Sequence, residues 1–321
     1  MKFIDLFCGI GGFRIAFESE SCECVFSSDI DKYVRETYFN NFNEYPVGDI
    51  KQVDEKKIPK FDILCAGFPC QPFSIGGLRK GFQDTRGTLF FDIERIIRHN
   101  KPKSFILENV KGLVNHDKGN TLNTILNKLA KTKNGKPNIN KFEDCLNYNV
   151  YYKVINSKDF GVPQNRERIF IVGFLKNVKF EFPISKINKS LLDILENDVK
   201  KNTISEILKA NIDFHLQSHY KYREIMKLNY LLAYEVRKSR STFRFDNLSP
   251  TLTAKMGTGG NNVPVIVKLQ RKLTTNECLK IQGFPDWYKI KPNNSQSYKQ
   301  IGNSVSVPVI NAIAKEILKS I

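Results

Sequence analysis

The sequence predicts an α/β protein, with a Rossmann-like, mostly parallel sheet in a large first domain and a smaller, irregular second domain. Three observations favour this fold. Short apolar runs alternate with helical segments in the first half of the chain, a glycine-rich turn follows the first run, and after about residue 183 the sequence becomes rich in Lys, Asn and Ser. Such alternation is typical of parallel sheets that helices cover on both faces.

The individual elements follow from the periodicity of apolar residues. The strand candidates are FIDLF, ECVFSSD, FDILCAG, KSFILEN, YYKVINS and RIFIVGF, and the helix candidates are residues 11–19, 31–42, 88–100 and 119–131. Residues 304–321 are typical of a strand or loop followed by an amphipathic helix, with apolar side chains at helical spacing at Ile310, Ile313, Ile317 and Leu318. We expect this helix to pack on the first domain. The order of the strands does not follow from the pattern.

The change of composition divides the chain into parts. We predict a first domain of residues 1–185 plus 300–321, a second domain of residues 186–268, and a hinge of residues 269–299. With 321 residues and 41% hydrophobic content, the chain can bury a substantial core in one large domain or in two. This composition is not that of a disordered protein.

The net charge of +17 is the strongest compositional signal. Such an excess attracts polyanions, so nucleic acid is the leading partner, whereas a membrane surface is not favoured because the basic residues are scattered. The seven cysteines match no zinc spacing, and their number is odd, so neither disulfides nor a structural metal is expected. No charged leader and no run long enough to cross a bilayer are present, and a cytoplasmic location is expected.

One cysteine stands in an unusual segment. GFPCQPFS, residues 67–74, places Cys70 between two prolines, directly after an apolar strand. Proline fixes its own φ and pushes the residue before it toward extended geometry, so this segment is predicted to be neither helix nor strand. Most cysteines have a buried structural role. Ligands of open α/β sheets, however, bind beyond the carboxyl ends of strands, and this position favours a reactive thiol.

The glycine-rich turn indicates a nucleotide-type ligand. FIDLFCGIGG, residues 3–12, joins a strand to a helix and lets backbone approach a ligand closely. The dinucleotide pattern G-x-G-x-x-G fails, because arginine stands where the third glycine is needed. We therefore expect an adenosine-type cofactor without a pyrophosphate, with an ordinary tight turn as the alternative. Asp29 suits the ribose hydroxyls, Asp31 competes for that role or caps the next helix, and Asp49 offers a third contact.

Charged side chains also stand at the ends of two more predicted strands. Glu108 follows the apolar run SFIL, so its carboxyl group is expected at the same edge of the sheet as Cys70. Arg166 and Arg168 stand at i and i+2 before the strand RIFIVGF, which would put both guanidinium groups on one face of an extended segment. A thiol, a carboxyl group and a guanidinium group can thus converge on one ligand.

Six short motifs occur in a fixed order along the chain: DLFCGIGG, GFPCQPFS, ENV, QNRERIF, RKLTTNEC and GNSV. As a set, over residues 3–183 and 270–321, they resemble the cytosine-5 DNA methyltransferases, in particular the small bacterial type II modification methylases of the HhaI kind. The resemblance implies that the first domain is an S-adenosylmethionine-dependent methyltransferase domain and the second a target-recognition domain. It further implies a monomer in the bacterial cytoplasm that acts on double-stranded DNA without a metal and pairs with a cognate restriction endonuclease.

The resemblance also implies the chemistry. The Cys70 thiolate would add to C6 of a cytosine flipped out of the duplex, so that C5 takes the methyl group of S-adenosylmethionine. The products would be 5-methylcytosine and S-adenosylhomocysteine. Glu108 would bind N3 and the exocyclic amine, Arg168 would hold O2, and Arg166 would serve a phosphate or Glu108.

The resemblance likewise implies the cofactor contacts, which would be Phe7, Gly9, Gly11, Asp29, Ile30, Asp49, Ile50, Pro69, Leu89, Asn303 and Ser304. It also implies a role in target recognition for Thr251, which stands in a threonine-leucine element. The residue types themselves indicate further DNA contacts at Ser74, at the basic residues Arg79, Lys80 and Arg86, and at the glycines Gly257, Gly259 and Gly260. Residues 75–88 fit a lid with hinge glycines, and a solvated surface loop is the alternative.

Three functions compete at this point. They are a DNA cytosine methyltransferase, a tRNA methyltransferase built on the same catalytic domain, and a non-catalytic basic module that binds nucleic acid. The RNA-directed relatives carry a Cys-Phe-Thr element that this chain lacks, which favours DNA. A binding module would leave Cys70, Glu108 and the paired arginines unexplained. A nicotinamide dehydrogenase is disfavoured by the failed dinucleotide pattern.

Overall fold

The structure is a computed structural model that describes residues 1–69, 89–197, 199, 202–228, 231–259 and 261–321. The predictions for Cys70, Ser74, Arg79, Lys80, Arg86 and Gly260, and for the lid over residues 75–88, lie outside the described residues. The described chain divides into two compact units. The first comprises residues 1–155, 167–184 and 309–321, and the second residues 156–166 and 185–308. The predicted domain and hinge boundaries stay predictions.

Eight strands of the described residues form one mixed sheet. In chain order they are β1 (Lys2–Leu6), β2 (Glu23–Ser28), β3 (Ile63–Gly67), β4 (Ser104–Val110), β5 (Ala130–Lys133), β6 (Lys136–Pro137), β7 (Tyr148–Asn156) and β8 (Glu167–Phe174). Their order across the sheet is β2-β1-β3-β4-β8-β7-β5-β6. β1 pairs in parallel with β2 and β3, and β3 with β4, whereas β8 runs antiparallel to β4. The predicted α/β fold with a mostly parallel sheet is confirmed.

Helices connect the strands of the first unit. They are α1 (Gly12–Glu18), α2 (Lys32–Phe42), α3 (Leu89–Asn100) and α4 (Asn120–Leu129). The apolar residues of α3 recur every three or four positions, and Phe90, Ile93, Ile96 and Ile97 are therefore buried together. They belong to a core cluster shared with the sheet, and burying side chains of this size contributes about 1.5–3 kcal/mol each.

The hairpin of β5 and β6 is absent from the sequence prediction. Residues 130–137, AKTKNGKP, show no alternation of apolar and polar residues. The signal that could have found it is the Asn-Gly dipeptide, because two-residue hairpin turns of type I′ require positive φ at both central positions. Asn134 has a φ of 47° and Gly135 a φ of 79°. The turn chemistry, and not the hydrophobic pattern, specifies this element.

The second unit contains short elements, as its composition indicates. Its helices are α5 (Glu206–Gln217), α6 (Tyr222–Ile225), α7 (Thr275–Gln282) and α8 (Ser295–Asn303). Its strands are β9 (Leu232–Tyr234), β10 (Thr242–Arg244), β11 (Val265–Ile266) and β12 (Arg271–Lys272), in the order β10-β9-β11-β12 with antiparallel pairing. A small core lies between α5 and this sheet, formed by Leu208, Ile212, Ala233, Val236 and Val265.

A buried ion pair stabilises the second unit. Arg271 is 4% exposed and Glu277 is 0% exposed, and the guanidinium group binds both carboxylate oxygens, with Nη2 to Oε1 at 2.7 Å and Nη1 to Oε2 at 2.9 Å. Glu277 also accepts from the backbone N–H of Thr274, whose hydroxyl caps α7 in return. This capping box and the ion pair share one carboxylate, so its loss would disrupt both.

The C-terminal helix α9 (Val307–Ser320) completes the first unit from residue 309 onward. Ile310, Ile313 and Ile317 are fully buried on one face. On its other side, the Asn311 amide donates to the Ser19 hydroxyl at 2.7 Å and to Glu20 Oε1 at 3.0 Å. The expected packing of this helix on the first part of the chain is confirmed.

Candidate active site

The first unit brings several strand ends to one edge of the sheet. Leu6 of β1 pairs with Ala66 of β3, and Gly67 of β3 pairs with Glu108 of β4, so the three carboxyl ends lie side by side. β1 lies between β2 and β3, so the chain passes from β1 to β2 on one side and then crosses β1 to reach β3 on the other side. Such a switch point is where ligands bind in open α/β sheets.

The turn after β1 has an unusual backbone. Phe7, Gly9 and Gly11 have φ values of 54°, 53° and 82°, all in the left-handed region. The Gly11 N–H donates to the Cys8 carbonyl at 2.9 Å. A Cβ at Gly11 would lie 2.4 Å from the Phe42 ring, so glycine is required there by both conformation and space. The backbone of this turn, beside the expected ligand position, is therefore restricted to one conformation.

Asp29 ties this turn to the end of β2. Its carboxylate accepts from the backbone N–H of Gly9 at 3.0 Å and from that of Asp31 at 2.9 Å. Burial raises the pKa of Asp29, and the two N–H donors oppose that rise. A carboxylate has about four lone-pair sites, so it retains capacity for ribose hydroxyls. Asp31 instead accepts from the Tyr33 N–H at 3.0 Å, which confirms the helix-capping interpretation.

The other predicted cofactor residues of the first unit differ in their exposure. Ile30 is 72% exposed, which is unusual for isoleucine and leaves its side chain available to a flat apolar ring. Asp49 caps a short turn by accepting from the Lys51 N–H at 3.0 Å, and Ile50 within that turn is buried. Pro69 is exposed and Leu89 half-buried.

Sequence reasoning missed the residue that fixes the turn after Asp49. The Arg95 guanidinium group, on α3, donates to the carbonyls of Ile50 at 2.6 Å and Val53 at 2.9 Å. It also pairs with Glu55 at 2.7 Å. The sequence offers no signal for this contact, because the residues involved are 40 to 45 positions apart. The turn is therefore held from the helix behind it.

Glu108 and Arg168 form an ion pair at the sheet edge. Nε of Arg168 lies 3.1 Å from Oε1 of Glu108, and both side chains are largely buried. The strand register explains the contact: Val110 of β4 lies opposite Arg168 of β8, so Glu108, two residues away on the same face, is its diagonal neighbour. On the other side, Glu108 pairs with Gly67, which adds no side chain to crowd the carboxylate.

Asn109, the middle residue of the ENV motif, is a second residue that sequence reasoning missed. It is 2% exposed, and its side-chain amide donates to the carbonyl of Phe68 at 2.9 Å. Its side-chain oxygen accepts from the Val110 N–H at 2.8 Å. Phe68 stands two positions before Cys70 in the chain. Asn109 therefore anchors the segment that leads to the predicted nucleophile.

Replacing Asn109 with alanine is expected to lower the free energy of unfolding by about 1–3 kcal/mol, because the buried Phe68 carbonyl loses its donor. We also expect kcat to fall more than the stability loss explains, since the approach to Cys70 is released. Urea unfolding and steady-state methylation below the unfolding range measure the two effects. Asn100→Ala, at a helix end, is the matched control; equal effects of both variants would contradict this role.

The structure corrects the assignment of Arg166 to Glu108. β8 begins at Glu167, so Arg166 precedes the strand and the i, i+2 alternation does not apply to it. Its guanidinium group, 2% exposed, donates to the carbonyls of Leu252 at 2.7 Å and Ser304 at 2.6 Å, within the second unit. Arg166 therefore orders backbone of the second unit, and Arg168 is the partner of Glu108.

The other predicted residues of the second unit lie near this network. The Ser304 carbonyl accepts from Arg166, and Asn303 ends α8 with an exposed side chain. The Thr251 hydroxyl donates to the Asn165 carbonyl at 2.7 Å. Gly257 packs on α8, where a Cβ would lie 2.2 Å from the Ser295 carbonyl oxygen, whereas Gly259 has open space around it and a φ of 77°. Gly257 is thus required for packing, and the predicted groove contacts of both glycines stay predictions.

Several described cysteines are unsuited to nucleophilic chemistry. Cys8, Cys24, Cys65 and Cys278 are buried and carry free thiols. Burial raises the pKa of Cys24 to about 12 and the pKa of the other three thiols well above the ordinary value. Because the thiolate is the reactive form, these side chains are inert in the folded protein.

We expect iodoacetamide at pH 8 to leave Cys8, Cys24, Cys65 and Cys278 unlabelled in the folded protein. All four should react once urea unfolds the chain, because their pKa values return to the ordinary range. Peptide mass spectrometry after timed labelling measures each site separately. Labelling of Cys65 at the same rate in folded and unfolded protein would refute the burial argument.

The described residues contain neither a metal-binding cluster nor a membrane-spanning helix. Across residues 1–69, 89–197, 199, 202–228, 231–259 and 261–321, no group of three His, Cys, Asp or Glu side chains is placed to hold a metal ion. Within the same ranges, no helix has the length and apolarity that crossing a membrane requires.

Comparisons with known proteins identify the family. The model of the C-5 cytosine-specific DNA methylase family matches residues 1–319. Type II methyltransferase M.HaeII of Haemophilus aegyptius is 44% identical over 327 residues, which cover 100% of this chain and 93% of that protein. Type II methyltransferase M.HhaI of Haemophilus parahaemolyticus is 40% identical over 330 residues, which cover 100% of this chain and 95% of that protein.

A solved structure shows the same fold. The S. pombe Dnmt2 methyltransferase aligns with a TM-score of 0.69 and 18% identity over 99% of this chain and 98% of that chain. The fold is thus that of a methyltransferase. The chain belongs to the C-5 cytosine-specific DNA methylase family and is a DNA (cytosine-5-)-methyltransferase, so the family resemblance read from the motifs is confirmed.

Proposed function

We propose that this enzyme transfers a methyl group from S-adenosylmethionine to C5 of a cytosine within a specific short duplex sequence, through a covalent bond between Cys70 and C6. The Glu108–Arg168 pair carries the proposal, because it lies at the sheet edge where the glycine-rich turn and the segment leading to Cys70 also end. A carboxylate and a guanidinium group side by side match the donor and acceptor edge of cytosine.

The residues at the switch point fit an adenosine-type cofactor. The left-handed turn through Gly9 and Gly11 permits close backbone approach, the Asp29 carboxylate suits ribose hydroxyls, and the exposed Ile30 suits a flat ring. Asp49 and its turn, held by Arg95, would meet the adenine edge. When bound, the sulfonium supplies an electrophilic methyl group. The product is S-adenosylhomocysteine, and no metal is required.

Each site residue has a distinct task in this proposal. The Cys70 thiolate forms a bond to C6, and the π electrons of the C5–C6 bond move toward C5. Glu108 binds N3 and the exocyclic amine, and Arg168 steadies the charge that develops at O2. After methylation, loss of the C5 proton to a base and release of Cys70 restore the ring. Extruding the cytosine costs a few kcal/mol of stacking and pairing.

The charge of the chain fits the substrate. A net charge of +17 favours the DNA backbone, and Ser74, Arg79, Lys80, Arg86, Thr251, Gly257, Gly259 and Gly260 stay the proposed DNA contacts. The names of the relatives M.HaeII and M.HhaI include the type II class. We therefore propose that this enzyme is the modification partner of a restriction endonuclease, acting as a monomer in the bacterial cytoplasm.

Sequencing of a plasmid that expresses the enzyme tests the activity. Bisulfite conversion should reveal methylated cytosines within one recurring short sequence, and Cys70→Ser should abolish them while gel-shift binding to the duplex survives. A duplex with 5-fluorocytosine at the target should trap an adduct at Cys70, because fluorine cannot leave as a proton does. Modified cytosine in tRNA but not in DNA would contradict the proposal, as would the lack of any adduct across all duplexes.

A further inference from the structure

A polar cavity lies in the second unit, and of the residues that line it only Thr251 is a DNA contact proposed above. Its volume is about 320 Å³, and its walls include side chains of both charges. The polar residues that line it are Asn165, Tyr234, Glu235, Arg244, Thr251, Thr253, Lys255 and Asn262. A small number of hydrogen-bond donors and acceptors among apolar lining residues is typical of a site that orients a polar ligand.

Arg244 is held in a fixed orientation within this cavity by its acidic neighbour Asp246. It ends β10, an edge strand, and its Nε donates to Oδ1 of Asp246 at 3.0 Å, while Nη2 binds Oδ2 of the same carboxylate. Oδ1 of Asp246 also accepts from the Leu248 N–H at 3.4 Å, across the left-handed Asn247. The backbone of this turn therefore fixes the carboxylate of Asp246, and that carboxylate fixes the guanidinium group of Arg244. This arrangement leaves the Nη1 end of the guanidinium group, whose N–H donors form a planar fork, to face a ligand.

The local charge favours a base edge over a phosphate. Asp246 binds the guanidinium group of Arg244 directly and offsets its charge, whereas Glu235, in the wall of the same cavity, pairs with Arg240 at 3.4 Å. The Asp246 carboxylate would repel a phosphate that bound the same guanidinium group. Guanine instead offers two neutral acceptors, O6 and N7, at the spacing of an arginine fork, which is the commonest specific contact in the major groove.

We propose that Arg244, held by Asp246, reads a guanine of the recognition sequence and so determines one position of the enzyme's specificity. The inference rests on the proposed function, because it assumes methylation of duplex DNA at a defined sequence. It assigns Arg244 a contact with the substrate and Asp246 a positioning role. Loss of the Arg244 guanidinium group should reduce base discrimination at one position of the recognition sequence and leave the other positions unchanged.

A randomised duplex library, methylated and read by bisulfite sequencing, tests the proposal. Wild-type enzyme should require guanine at one fixed distance from the modified cytosine. In Arg244→Ala we expect discrimination at that position to fall by about 10- to 100-fold, the usual range for a bidentate contact. Asp246→Asn should relax the same position to a smaller extent. Arg223→Ala is the matched control, since Arg223 is exposed on α6 and is not one of the residues that line the cavity, so its loss should leave the consensus unchanged.

Two further measurements separate base reading from other roles. Arg244→Lys keeps the positive charge but loses the two parallel N–H donors of the guanidinium group. It should therefore reduce the discrimination for guanine at that position as Arg244→Ala does. An unchanged consensus with restored activity would show a phosphate contact and overturn the proposal. Replacing that guanine by 7-deazaguanine should slow wild-type enzyme and not Arg244→Ala. An identical consensus in wild type and Arg244→Ala would also refute it. Absence of methylated cytosine with wild type would refute the proposed function and this inference together.

Discussion

Replacing Glu108 with glutamine is expected to lower kcat by about 10²- to 10⁴-fold, the usual contribution of a positioned acid–base group. Glutamine keeps the shape of the side chain and still accepts from Arg168, so the fold and the 3.1 Å contact should survive. What is lost is the charge and the proton-carrying ability that the N3 edge of cytosine requires. Single-turnover methylation of a duplex substrate under saturating cofactor measures the effect.

The control for this variant lies in the same unit. Glu94 has the same 8% exposure as Glu108 and also pairs with an arginine, Arg98. Glu94→Gln should therefore carry a similar structural cost and leave kcat unchanged. Equilibrium binding of S-adenosylhomocysteine should be equal in both variants and in wild type. A kcat for Glu108→Gln within threefold of that of Glu94→Gln would refute the proposed role.

Replacing Glu277 with alanine is expected to lower the free energy of unfolding by about 3–5 kcal/mol. The change leaves the 4% exposed Arg271 as a buried charge without its carboxylate, and it also removes the side chain that completes the cap of α7. Urea unfolding monitored by circular dichroism measures the loss, and the slope of the transition shows whether the second unit unfolds separately.

Two further variants test whether the buried ion pair causes this loss of stability. Glu181→Ala removes a surface pair with Lys179, both more than three-quarters exposed, and should change the stability by less than about 1 kcal/mol. The double variant Glu277→Ala with Arg271→Met should recover part of the loss, because no buried charge then remains. A double variant less stable than the single one would show that the arginine is stabilised by its other contacts.

Apart from the hairpin of β5 and β6, the main elements of the first unit could be predicted, because each is specified locally. The apolar run FDILCAG is buried as β3 whatever lies beside it, and α3 buries Phe90, Ile93 and Ile96 through their spacing alone. The N-cap role of Asp31 could likewise be predicted from the sequence, because an N-cap residue contacts only the first turn of its own helix. Such features depend on neighbours within about one turn of chain.

The partners of the site residues could not be predicted in the same way. Whether Arg166 or Arg168 meets Glu108 depends on where β8 begins and on its register against β4, and a shift of one residue reverses the face of every side chain. The roles of Asn109 and Arg95 depend on carbonyls 41 and 45 residues away. No periodicity encodes contacts of that separation.

The motifs and the charge alone determined that this chain is an α/β nucleic-acid-modifying enzyme whose chemistry lies at strand ends, because residue type and local spacing suffice for that. Only the tertiary structure decided which groups meet: Glu108 with Arg168, Asn109 with the Phe68 carbonyl, and Arg244 with the cavity wall. Strand order and register bring distant residues within hydrogen-bond range, and those depend on the packing of the whole unit.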